Sequence, residues 1–167
     1  MRVSLVYGFR DEVELILDDK IRSFTVDALD SVPDYYEQDD FILHTRKAVK
    51  FAKVFFDTLT MDDYARDVVT SAILLQDITR FKLEEVDEED ATHKVVEDPI
   101  HPLTVRLKLL PLLGSVGADV FEDILRTIES SHGLNSPIPH VVPQLSDPVY
   151  VWILPFVNGL ASSIEGY

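Results

Sequence analysis

Val68-Val69-Thr70-Ser71-Ala72-Ile73-Leu74-Leu75-Gln76-Asp77-Ile78-Thr79-Arg80 is an apolar run that ends abruptly in an amide and a carboxylate. Its small and apolar residues recur at helical offsets (Ala65, Val69, Ala72, Ile73), so the spacing predicts a helix around which the rest of the chain packs. On that spacing Gln76 continues the buried stripe and Asp77 lies one turn beyond Ile73. A carboxylate there has two fates. It reaches solvent at a helix end, or it is buried, and then it must be paired, hydrogen-bonded or bound to a metal.

Working outward, the chain has 167 residues, enough for one domain with a sizeable core. Apolar residues make up 46% and charged residues 27%, the profile of a folded soluble protein. Cysteine is absent, which excludes disulfides, zinc–thiolate or iron–sulfur centres and a cysteine nucleophile. No stretch has the pattern of a signal peptide or approaches the ~20 apolar residues of a membrane helix, so a cytoplasmic location is expected and no membrane partner. The net charge of −15 argues against non-specific grip on a nucleic-acid backbone. The same charge suits a basic protein partner, a high-salt cytoplasm or simple solubility, and Glu84–Asp90 is its densest stretch.

The expected fold class is mostly α: a helical bundle with a small N-terminal β-hairpin or three-stranded element. Residues 1–29 are read as the β-rich element, with Arg2–Tyr7 and Glu12–Asp18 as strands about a turn at Gly8-Phe9-Arg10-Asp11. Residues 30–167 are read as the helical part of a single compact domain. Asp39 or Asp40 is expected to cap a helix with the apolar face Phe41, Thr45, Ala48, Val49, Ala52, Phe55, Phe56 and Leu59; Asp62-Asp63 is expected to cap the next. Lys82–Asp98 is so polar that it reads as a solvated loop or frayed helix. Further helices are expected after Pro99, over Ala118–Ser131 and over Val149–Ile164, with a left-handed turn at Gly133 and a proline inside the last at Pro155. The segment Leu134–Leu145 between them reads as an ordered loop.

Four metal-competent side chains fall at helix positions or ends: His44, Asp77, His101 and His132. Spacing alone does not assign such widely separated residues to one site. Other catalytic patterns are absent: Gly114-Ser115-Val116-Gly117 lacks the lysine of a phosphate loop, and neither a Gly-x-Ser-x-Gly elbow nor a His-Glu-x-x-His helix is present. His93 and His140 are assigned no role.

The order and local context of these residues resemble the HD-domain metal-dependent phosphohydrolases, over roughly Val32 to Ser163. The matching pieces are His44-Thr45, then Ala72–Arg80, Ile100-His101-Pro102-Leu103, Ile128–Gly133 and Val157-Asn158-Gly159. The resemblance implies a metal held by His44, by a His-Asp doublet at positions 76–77 and by an aspartate at 158. It implies a second metal on Asp77, His101 and a histidine pair at 131–132, and a phosphate contact from Arg80, so that Asp77 and Arg80 are the implied catalytic residues. This chain departs from the pattern at three ligand positions, with Gln76, Ser131 and Asn158. Neutral amide oxygens bind a divalent metal far less well than imidazole or carboxylate. Two outcomes follow as expectations. One is a divergent phosphohydrolase acting on a nucleotide or other small phosphate ester, with one divalent metal (Mn, Fe, Ni, Zn or Mg) on Asp77, His101 and His132. The other is a catalytically inactive HD-type binding or regulatory module without metal, in which Gln76, Asp77, His44 and Asn158 close a polar core.

Overall fold

The computed structural model describes residues 5–33, 38–87, 92–98 and 100–164. The protein is mostly α-helical with one small antiparallel sheet. Its helices are α1 (Leu5–Gly8), α2 (Arg10–Val13), α3 (Asp19–Asp30), α4 (Gln38–Thr58), α5 (Asp63–Leu75), α6 (His101–Leu109), α7 (Leu113–Val116), α8 (Ala118–Glu129) and α9 (Val149–Ser163). Strands β1 (Phe81–Asp87) and β2 (Thr92–Glu97) stand between α5 and α6. No helix among the described residues is long and apolar enough to cross a membrane.

The helix α5 is the hub. Asp62 caps it by accepting the Ala65 backbone N–H at 2.8 Å. Every residue from Asp67 to Leu75 is buried, because α3, α4, α8 and α9 cover the helix from different sides. Three polar side chains survive in this environment by being satisfied. The carboxylate of Asp67 accepts the backbone N–H groups of Leu17 at 3.0 Å and Asp18 at 2.8 Å, the Thr70 hydroxyl donates to the Arg66 carbonyl at 2.8 Å, and the Ser71 hydroxyl lies 2.8 Å from that of Thr25 on α3.

The N-terminal β element is not where the sequence reading put it. Leu5, Phe9, Val13 and Ile16 are buried, spaced by four, four and three residues, and that is one face of a helical path. The segment forms α1 and α2, and Asp18 then caps α3 by accepting the N–H groups of Lys20 and Ile21 at 2.9 Å. Among residues 5–29 the regular elements are thus all helical, joined by a turn at Phe9 and the segment 14–18, and they contribute to the same apolar cluster as α4, α5, α8 and α9. Residues 2–4 of the expected first strand lie outside the described residues.

The hairpin lies instead in the acidic stretch, where a loop or frayed helix was expected. Register sets Lys82 opposite Val96 and Glu84 opposite Lys94, the second an opposite-charge pair. Such cross-strand pairs, with β-branched residues Val95 and Val96, offset the acidity that argued against order. Residues 88–91 of the acidic run lie outside the described residues.

On α4 the buried stripe is Phe41, Thr45, Ala48, Val49, Ala52 and Phe56, as its periodicity predicts, while Leu59 is exposed. Because α4 begins at Gln38, Asp39 and Asp40 fall inside its first turn rather than at its cap. The helix α6 carries Pro102 in its first turn. Past α8, Gly133 adopts φ +55°, the left-handed conformation expected of it. The loop Leu134–Leu145 contains two short 3₁₀ turns and is fastened by Arg126, whose guanidinium donates to the Val141 and Val142 carbonyls at 2.8 and 3.2 Å and to Asp147.

Candidate functional site

Four helix ends and one helix flank converge on an open cavity of about 690 Å³. The start of α4 brings His44, and the end of α5 brings Gln76 and Asp77, with Arg80 in the turn that follows. The start of α6 brings His101, the segment after α8 brings Ser131 and His132, and the flank of α9 brings Asn158. All the residues that the sequence nominated thus line one cavity.

Each is held by identifiable contacts. Gln76 is 2% exposed and Asp77 is 7% exposed, so the carboxylate does not simply reach solvent at a helix end. Gln76 donates from Nε2 to Asn158 Oδ1 at 2.9 Å, and Asn158 donates from Nδ2 back to Gln76 Oε1. This reciprocal amide pair ties the end of α5 to α9. Asp77 Oδ1 lies 3.1 Å from His101 Nε2. The other ring nitrogen of His101 lies 3.1 Å from the Asp98 carbonyl, which fixes the ring in its plane. The Thr79 hydroxyl donates to the His101 carbonyl at 2.8 Å, so the turn after α5 also positions the first residue of α6. His132 meets the His101 ring edge to face, with centroids 5.6 Å apart.

Arg80 sits at the foot of the hairpin. Its backbone carbonyl accepts the Asp98 N–H at 2.7 Å, and its Nε lies 3.0 Å from Glu97 Oε1. The guanidinium also lies over the Phe81 ring, 5.5 Å from its centroid. Its charge is therefore already balanced inside the site.

Burial is the first cause that holds the His44 imidazole below its ordinary pKa; Asp77 opposes the shift, while Arg80 and Lys47 add to it. His132 is lowered as well, first by burial and then by the neighbouring His101, against the pull of Asp77. Both shifts favour the neutral ring.

Several lining residues escaped the sequence reading: Asp40, Phe41, Phe81, Glu97, Asn135 and Ser162. Two carried a usable signal. Asp40 lies one helical turn before His44, and Ser162 one turn after Asn158, on the same face as its neighbour. Glu97 carried none, since its place depends on a hairpin that the acidic composition disguised.

The residues present do not fit the metal arrangement that the HD resemblance implies. Among the described residues, no group of three or more His, Asp or Glu side chains is disposed to hold a metal ion. The two amides at implied ligand positions are spent on each other. Comparison with protein-family models, with curated proteins and with solved structures finds no match to this chain.

Proposed function

We propose that this chain is a divergent HD-type domain that has given up metal-dependent phosphoester hydrolysis and uses the former reaction cavity as a metal-independent binding site for a small molecule, in the manner of a binding or regulatory module. The observation that carries the reading is the Gln76–Asn158 pair. In the pattern the chain resembles, those two positions are a histidine and an aspartate pointing at one cation. Here both are neutral, and each satisfies the other's donor and acceptor. A carboxylate at 158 without its metal would be a half-buried charge set against the Gln76 amide, whereas the amide pair gives each partner a donor and an acceptor without any charge. Asp77, the implied bridge between two metals, is likewise engaged by His101. A cavity of about 690 Å³ is within the usual range of small-molecule sites.

The test is metal content, by elemental analysis of protein purified without chelator or affinity tag, together with a phosphatase screen over nucleotides and simple phosphate esters. The expected result is no stoichiometric metal, an unchanged melting temperature after chelation and no turnover. Stoichiometric Mn, Fe, Ni, Zn or Mg that is lost in Asp77→Ala, with phosphatase activity lost in parallel, would overturn the proposal in favour of a one-metal hydrolase built on Asp77, His101 and His132.

A further inference from the structure

The charge of the cavity narrows the class of ligand, given the metal-independent reading above. Among the described residues three carboxylates line it, Asp40, Asp77 and Glu97, against a single guanidinium, Arg80, and no lysine. Arg80 is turned to Glu97, so the guanidinium is already matched, and Asp77 contacts His101. Asp40 is exposed at the rim and makes no ion pair among the described residues. A phosphate dianion entering here would meet an excess of like charge and would have to take Arg80 away from Glu97. The whole-chain charge of −15 adds to that repulsion.

The cavity also contains an instance of the opposite chemistry. Arg80 is itself an organic cation seated between a carboxylate, Glu97 at 3.0 Å, and an aromatic face, Phe81 at 5.5 Å from the centroid. That combination of counter-ion and ring quadrupole recognises ammonium and guanidinium groups generally. The start of α4 adds Asp40 and Phe41 to the lining; Phe41 is 7% exposed and packs edge-on against Phe9, so that only its margin faces the cavity.

We infer that the cavity takes a small organic cation, an amine or guanidinium compound, with Asp40 and Glu97 as its counter-ions and the Phe81 ring and the margin of Phe41 beside it.

Calorimetric titration of the purified protein with agmatine, spermidine, AMP, inorganic phosphate and magnesium, each alone, tests this. At least one of the amines is expected to bind more tightly than AMP or phosphate, with an affinity that weakens as salt is raised. Asp40→Asn with Glu97→Gln is expected to weaken amine binding by about tenfold or more. Both side chains are exposed or half-exposed, so melting temperature serves as the check that the fold is intact. Glu97→Gln alone should reverse the preference toward AMP or phosphate, because it releases Arg80. Metal-free AMP or phosphate binding as tight as the amines, amine affinity unchanged in the double variant, or no amine binding at all would each overturn the inference. Failure of the metal-independent reading shows up separately, as resident metal in the elemental analysis or as heat from magnesium that Asp77→Ala abolishes.

Discussion

Asn158→Ala is the sharpest probe of how the site is held together. The change removes both members of the reciprocal bond to Gln76, which stays 2% exposed at the end of α5. Two amide hydrogen bonds are worth about 0.5–1.5 kcal/mol each, and a buried amide left without partners costs about 1–3 kcal/mol. These are not additive, and Asn158 borders the cavity, so water entering from that side re-pairs part of Gln76. The expected loss is then about 2 kcal/mol, from the lower end of those ranges. For a chain of this size that corresponds to a fall in Tm of about 4–8 °C. Chemical denaturation of the wild type, Asn158→Ala, Gln76→Ala and the double variant forms a thermodynamic cycle. The two single changes should be strongly non-additive, with a coupling of about 1–2 kcal/mol. Single changes that each cost under about 0.5 kcal/mol and simply add would mean that the amide pair does not fasten α5 to α9, and the argument from it would fall.

Three other outcomes follow from the same structure. Asp67→Ala leaves the N–H groups of Leu17 and Asp18 without their acceptor and should cost about 3 kcal/mol in denaturant unfolding, with Asp67→Asn costing less because one acceptor remains. Gly133→Ala demands φ +55° of an alanine and sets its Cβ 3.0 Å from the Pro155 Cβ, so thermal melting should show a loss of about 1–2 kcal/mol, and wild-type stability would show that the turn relaxes freely. His44 and His132 have folded pKa values below the unfolded value of 6.5, so the unfolded chain takes up protons first as pH falls. Their stabilising contribution is full above pH 6.5 and is lost on acidification below it; unfolding free energies measured across that range should show a slope that His44→Gln with His132→Gln flattens.

Much of the site was legible because it is built from helix ends. Asp77 follows the apolar run Val68–Leu75, which left a solvent-facing helix end and a buried carboxylate both open; the packing of α3, α4, α8 and α9 on α5 decides for burial. The histidines at 44, 101 and 132 stand near the start of α4, at the start of α6 and just past α8, and the helix ends of a bundle meet one another. Distance in sequence concealed the pairing of Gln76 with Asn158, although the simultaneous neutrality of both positions was visible. The N-terminal error has a definite source. Leu15-Ile16-Leu17 and the alternation around Val13 mimic a strand, but the tertiary contacts of Phe9 and Ile16 select the helical period also present in Leu5, Phe9, Val13 and Ile16. The hairpin was hidden by the converse effect: its acidity is a property of single residues, whereas its stability is a property of pairs such as Glu84 with Lys94.

The position of α5 also has a consequence during synthesis. Its buried run emerges early, yet its partners α8 and α9 begin only at Ala118 and Val149. At the usual ~5–20 residues per second, Val68–Leu75 waits several seconds on the ribosome before α9 exists to cover it. Meanwhile α3 and α4 are the larger surfaces on hand among the described residues, and they shield only part of α5. A nascent chain stalled before Val149 would display a greasy stripe to chaperones, with Gln76 waiting for a partner not yet translated.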